Sequence, residues 1–225
     1  MPPGETKLVI TAFDGALRVY AVNDHQRAFH FDITFQLDHP HLATLATAEK
    51  PPLHFHPYQE EYIEVLEGRL GVEVEGDVLT RTPFDGELLV RPWQNHRLYP
   101  LMDPGAKTTR FLLSGEETSN AFKLDTMFFQ NWYGYQDEVL RKGIKFNIIQ
   151  VMNMFDAGGS YISGPAWVPF GKRLAQLTGI IIGRWLGGLL GYQPFYPRWT
   201  KDWQMACKKM ETSPFLRRFS VKTES

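Results

Sequence analysis

The run Leu53-His54-Phe55-His56-Pro57-Tyr58-Gln59-Glu60-Glu61-Tyr62-Ile63 gathers two imidazoles and a carboxylate in one short stretch. On an extended strand, side chains alternate between faces, so His54 and His56 point the same way and can chelate one ion. Glu61 follows after four residues, and a short turn lets the next strand bring its carboxylate to the same point. Ile63 and Val65 continue that inward face, while Glu64 turns out. A fourth ligand comes from Val90-Arg91-Pro92-Trp93-Gln94-Asn95-His96. Pro92 marks a turn there, a strand begins near His96, and Leu98 shares the face of His96. Three imidazoles and one carboxylate suit one divalent transition metal (Fe, Mn, Ni, Cu or Zn) and leave one or two positions open to water or substrate. An open position is what metal catalysis requires.

Other residues near this set have weaker claims. Tyr58 and Glu60 flank the ligands, and either would serve as an acid or base if turned inward. Strand alternation instead turns Glu60 away from the metal. Ile63, Val65 and Leu98 are candidate pocket lining and favour a small, fairly apolar substrate over a free sugar or nucleotide. His25, His30, His39 and His41 share no ligand spacing with the cluster and read as loop or surface residues. Arg91 reads as a surface residue near the mouth.

The elements that must position these groups are strands. From Lys7 to Leu113 the chain reads as Leu8–Phe13, Ala16–Val22, Ala28–Leu37, Tyr62–Leu66, Leu70–Val74, Glu87–Val90 and Thr109–Leu113. Turn signals separate them: Asp14-Gly15, Asn23-Asp24, Glu67-Gly68, Glu75-Gly76-Asp77, Asp85-Gly86 and Asp103-Pro104-Gly105. His39–Pro52 has no period and reads as a loop. Many short strands at close spacing predict an antiparallel sandwich or barrel.

At this point the residues resemble a family. The spacing His-x-His-x4-Glu-x6-Gly, present as His54, His56, Glu61 and Gly68, is similar to the first cupin motif, and Pro92–His96 is similar to the second. The resemblance implies His54, His56, Glu61 and His96 as ligands. It also implies a double-stranded β-helix (jelly-roll) barrel of the RmlC-like kind, often dimeric. Three departures concern local turns: Gln94 where Gly is common, Pro100 where Asn is common, and no Gly before His54. Cupin chemistry spans dioxygen-dependent oxidation, isomerisation, cyclisation, decarboxylation and plain binding, so fold alone does not choose among them. The reading is a metal-dependent enzyme tailoring a small metabolite, by oxygenation or by isomerisation or cyclisation. The compact cupins of fungal specialised-metabolite pathways with helical extensions are its nearest likeness. The alternative is a non-catalytic small-molecule-binding module.

After Gly115 the pattern changes, giving a mainly β domain over 7–115 and a helical extension over 116–225. Ala121–Leu140 predicts a helix whose end carries Asp137, Glu138, Arg141 and Lys142 before Gly143, a pairing and C-cap signal. Lys145–Phe155 predicts a second helix, and Asp156–Pro169, rich in Gly and Pro, a loop. In the apolar segment 172–192, Gly179, Gly183, Gly187 and Gly191 recur every four residues and form a smooth stripe for close backbone approach. Aromatics flank it and a basic tail follows, so 172–203 is a candidate contact with a membrane surface. Arg184 at its middle opposes a full span. The open alternatives are a helix packed on the barrel or on a partner subunit, a surface helix and a span.

Composition closes other classes. The 24 basic and 25 acidic residues leave a net charge of −1, with no basic recognition helix, so no nucleic acid partner is expected. Cys207, the single cysteine, excludes an internal disulfide and reads as filler. The first residues open no apolar run, so the expectation is an intracellular protein, cytoplasmic or peripherally membrane-associated, and not secreted.

Overall fold

Phe29, Phe31, Ile33 and Phe35 alternate along β3 (Arg27–Gln36), and all four are buried. Their partners on β10 (Thr108–Glu116) repeat the alternation, with Leu113 opposite Phe31 and Phe111 opposite Ile33. This period of two is why the segments are strands, and it gives each sheet one apolar face. The computed structural model describes residues 6–42, 50–102, 105–165 and 167–220. The first five residues, 43–49 of the expected loop and the Asp103-Pro104 half of one expected turn lie outside the described residues. The chain divides into two units, Met1–Thr118 and Ser119–Ser225.

The first unit is two antiparallel sheets. β1 (Thr6–Ala12), β2 (Leu17–Val22), β3, β10, β5 (Glu61–Glu67) and β8 (Leu88–Val90) lie in that order in one sheet. In the second, β4 (His54–Phe55), β9 (His96–Pro100), β6 (Leu70–Val74) and β7 (Asp77–Arg81) are neighbours in that order. Phe31, Ile33, Ile63 and Phe111 from the first sheet and Phe55, Leu70 and Val72 from the second are at most 1% exposed. The non-consecutive neighbours and two-sheet core make a jelly-roll arrangement.

Strand β7 has no counterpart in the sequence reading. Its residues are mostly exposed, so it lacks the apolar inner face that marks a strand. What creates it is the turn. Glu75 and Gly76 both have positive φ (51° and 96°) between paired Val74 and Asp77, which is a two-residue hairpin loop of the type that matches strand twist.

In the second unit the helices start later than the apolar pattern does. Asp125 caps α1 (Thr126–Lys142) by accepting from the Phe128 amide, and Asn147 caps α2 (Ile148–Ala157) in the same way. Each cap fixes the first turn, so residues before it stay outside the helix. At the far end of α1, Gly143 is left-handed at φ 63°, and Lys142 pairs with Glu138 at 2.9 Å. The short strand β11 (Tyr161–Ile162) lies in the expected loop. Cys207 is buried on α4 (Trp203–Glu211), beside a core of Met127, Phe195, Ala206 and Met210. Among the described residues no helix is long and apolar enough to cross a membrane.

The glycine-striped segment is not one regular α-helix. α3 (Gly171–Thr178) runs into a π-helical stretch, Gly179–Gly187, and ends in a turn, Gly188–Leu190, before left-handed Gly191. A four-residue repeat drifts by about 40° per step on an α-helix, and the wider π turns oppose that drift. Gly179, Gly183 and Gly187 therefore stay on one buried face. That face lies on α2: a Cβ at Gly183 would stand 2.5 Å from the Met152 carbonyl oxygen, and Asn153 donates to the Gly183 carbonyl at 2.7 Å. Gly183→Ala gains about 1 kcal/mol of helix propensity but meets a backbone atom that cannot swing aside, a cost of about 1–3 kcal/mol. The expected outcome is net destabilisation, read as a lower midpoint in chemical denaturation.

Candidate metal centre

His54 on β4 lies directly opposite His96 on β9, and cross-strand partners share a face. His56 follows two residues after His54 on that same face. The three rings form a near-equilateral set, with centroids 4.5 Å apart for His54–His96, 4.9 Å for His56–His96 and 5.0 Å for His54–His56. One nitrogen from each lies within 4.8 Å of the others. Glu61, the first residue of β5, joins the set through His96: its Oε2 is 2.9 Å from the His96 Nε2. His56, Glu61 and His96 are 3%, 4% and 1% exposed, so the centre is closed to bulk water on their side.

Backbone carbonyls orient two of the rings. The His54 Nδ1 donates to the Pro52 carbonyl at 3.0 Å and the His96 Nδ1 to the Gln94 carbonyl at 2.9 Å. A carbonyl only accepts, so Nδ1 carries the proton in both, and each Nε2 keeps a lone pair for a ligand. Burial, and then the neighbouring His96, pull the His54 imidazole down to about 3; the Pro52 carbonyl pulls the other way. Burial likewise holds His56 well below its ordinary value. Neutral imidazole is the ligating form. The His96 Nε2 and Glu61 Oε2 are buried, 2.9 Å apart, and neither makes a hydrogen bond. Two acceptors so placed call for a cation between them, so the donor set fits a divalent metal.

The turn before His96 solves the problem that Gln94 poses. The left-handed position falls on Trp93 at φ 69°, a strained geometry for a bulky residue. Three contacts hold it. The Trp93 amide donates to the His56 carbonyl at 2.8 Å, its ring stacks on Phe55 at 5.4 Å, and the Gln94 side chain accepts from the Arg91 amide at 2.7 Å. The turn that presents His96 is thus tied to the strand that presents His54 and His56.

On the outer face of the second sheet, Glu73 clamps the approach to β4. It accepts from Lys50, from Arg97 at 2.6 Å and from Tyr99 at 3.0 Å, and Arg97 also donates to the Pro51 carbonyl. Burial alone would raise the Glu73 carboxyl; the bonds from Lys50, Arg97 and Tyr99 outweigh it and hold it at about 2. A carboxylate lowered on folding stabilises the native state above its ordinary value of 4.5, and that contribution is lost as pH falls towards about 2. Glu73→Gln is expected to flatten the acid limb of the denaturation-midpoint profile between those values relative to the unaltered chain.

The other sequence candidates fall as follows. Ile63 and Val65 are buried on the Glu61 face of β5, at 1% and 3% exposure. Leu98 is half-buried, two residues from His96 on the same strand. Tyr58 is 52% exposed. Glu60 takes the Tyr62 hydroxyl at 2.6 Å, on the strand face opposite Glu61. The orienting carbonyls of Pro52 and Gln94 and the Glu73 clamp were missed, because none has a side-chain signature at ligand spacing.

Comparison with known proteins places the chain. The probable oxidoreductase yanE of Aspergillus niger is 45% identical over 215 residues, covering 94% of this chain and 83% of that protein. The chain belongs to this fungal oxidoreductase family. An oxidoreductase of Arthrobotrys oligospora is 40% identical, covering 95% of this chain and 85% of that protein. A further member, the epoxidase atD of Aspergillus terreus, is 40% identical over 168 residues, which is 75% of this chain and 52% of that protein. No protein-family model matches. Among solved structures, an RmlC-like cupin from Shewanella frigidimarina is 16% identical and covers 52% of this chain and 89% of that one, with TM-score 0.35. KdgF from Halomonas is 12% identical, covering 51% and 88%, with TM-score 0.34. The two antiparallel sheets and the His54, His56 and His96 cluster are what the resemblance to the cupin motifs implies.

Proposed function

We propose that this cupin is a metal-dependent oxidoreductase acting on a small, fairly apolar organic molecule. The observation that carries this reading is the triad of half-buried His54 with buried His56 and His96, with Glu61 facing His96 at 2.9 Å. Three imidazole nitrogens and one carboxylate satisfy most positions of a first-row metal and leave one or two open. When bound, such a metal supplies Lewis acidity or dioxygen activation at those open positions. The chain's own residues do the rest. Pro52 and Gln94 fix the ligating nitrogens. The buried side chains around Glu61 exclude water, which strengthens every polar interaction with a substrate oxygen. Ile63, Val65 and Leu98 offer apolar surface to the carbon skeleton. The oxidoreductases and the epoxidase among the relatives favour oxygenation over isomerisation or cyclisation.

The test is elemental analysis of protein purified without chelators, followed by oxygen-electrode assays with apolar metabolites. Bound stoichiometric Fe, Mn, Ni, Cu or Zn and oxygen uptake linked to product formation are expected. Turnover without oxygen uptake would replace the reading with an isomerase or cyclase. Ligand binding with no turnover and no metal would replace it with a binding module.

A further inference from the structure

We infer that the helical unit docks flat on an anionic membrane surface through the outer face of the Gly171–Leu190 segment. The glycines of that segment point inward, and the positions two residues away point outward. Leu174, Leu177, Ile181 and Leu189 are 49%, 53%, 44% and 64% exposed along this outer face. A helix whose polar side is replaced by leucine and isoleucine needs an apolar partner. At its N-terminal end stand Trp167 and Phe170, 82% and 85% exposed. Phe170 is held at φ 57°, the left-handed region that favours glycine, while its ring projects into solvent. Strain spent on presenting an exposed aromatic ring marks a contact residue.

Charge chooses the occupant. From 157 to 201 the chain contains no Asp or Glu, whereas Lys172, Arg173 and Lys201 fall within it, beside Arg184 and Arg198, which pair with Asp156 and Glu138. Lys172 and Arg173 sit at the start of the apolar face. At its other end Arg218 donates to the carbonyls of Gly188 and Leu189. Cations at both ends of an apolar stripe, with aromatic rings at headgroup depth, complement anionic lipid. A second copy docked on the same face would set these cations against each other. A span is excluded by the inner face: Gly183 abuts the Met152 backbone and Arg184 pairs with Asp156 at 2.6 Å, so lipid cannot surround the helix.

The test is flotation of the full chain with vesicles of phosphatidylcholine doped with phosphatidylserine, against vesicles of phosphatidylcholine alone. Binding to the doped vesicles is expected, weakened by salt and at least about tenfold lower for the neutral ones. The double substitution Leu177→Glu, Ile181→Glu places charge on the apolar face and is expected to lower binding by at least about tenfold, with melting temperature and metal content unchanged. Should that variant fail to melt cooperatively, Trp167→Ala with Phe170→Ala, both solvent-exposed, carries the same expectation. No flotation of the unaltered chain, or flotation that the folded variant retains, overturns the inference. So does a dimer by light scattering that the substitution splits, since the face would then belong to a second copy.

Discussion

His54→Ala and His96→Ala are each expected to abolish tight metal binding. Removing groups that merely orient a ligand costs about 10- to 100-fold in metal affinity, so deleting a ligand itself is expected to cost at least about 100-fold. Each imidazole is one corner of a set whose rings stand 4.5–5.0 Å apart, and no other His, Cys, Asp or Glu among the described residues completes a comparable cluster. Removing His96 also strips Glu61 of the nitrogen it faces at 2.9 Å. A bound metal stabilises only the folded chain, by about 2.7 kcal/mol at a hundredfold excess over the dissociation constant. The unaltered chain should therefore melt higher when metal is added, and both variants should not. Elemental analysis gives the second readout. Either variant retaining full metal with its melting shift intact would remove these residues from the ligand set.

Arg184→Met is expected to destabilise the helical unit strongly. The Arg184 guanidinium grips Asp156 with two hydrogen bonds, 2.6 and 2.9 Å, and the carboxylate side chain is 1% exposed. Breaking a buried pair by removing one partner costs about 3–5 kcal/mol. The guanidinium is 23% exposed, so solvent screening places the loss towards the lower end. The pH dependence follows from the survivor. Burial raises the Asp156 carboxyl above its ordinary 3.8, and Arg184 and Tyr161 oppose that rise. Without Arg184 it climbs further. A carboxyl raised on folding holds its proton in the native state at pH values where the unfolded chain has lost it, so acidification favours the native state. The deficit of the variant should be full at neutral pH and shrink as pH falls through the raised value towards 3.8. Urea denaturation at neutral and mildly acidic pH reads this. A deficit independent of pH would mean that the lost energy was packing against Phe122 (4.4 Å from the guanidinium) and not the ion pair.

The convergence of His54 and His56 on one face was legible because its cause is local. Strand alternation brings His54 and His56 to one side whatever the rest of the chain does, and the spacing to Glu61 and Gly68 carries the family pattern. The β-class of the first unit was legible for the same reason, as was the end of α1, where Arg141, Lys142 and Gly143 act within a single turn. The glycine repeat announced a close approach but not its partner. Four-residue spacing is compatible with several neighbours, and only the three-dimensional packing chose α2, with Asn153, Asp156 and the backbone of Met152 as the complementary surface. The same packing converted Arg184 from an obstacle to membrane insertion into half of a buried ion pair.

What the amino-acid order determined by itself was therefore the periodic and the short-range: strands, caps, turns and four metal-ligand residue types at meaningful intervals. What only the tertiary structure decided was convergence and orientation. His96 meets His54 because β9 pairs with β4 across some forty intervening positions. Its ring is oriented by a backbone carbonyl, and its turn is held by a left-handed Trp93 with no glycine to announce it. Hydrogen bonds to main-chain oxygens carry no residue-type signature, and long-range pairing is set by the summed burial of many side chains, so neither could be read from any one stretch of sequence.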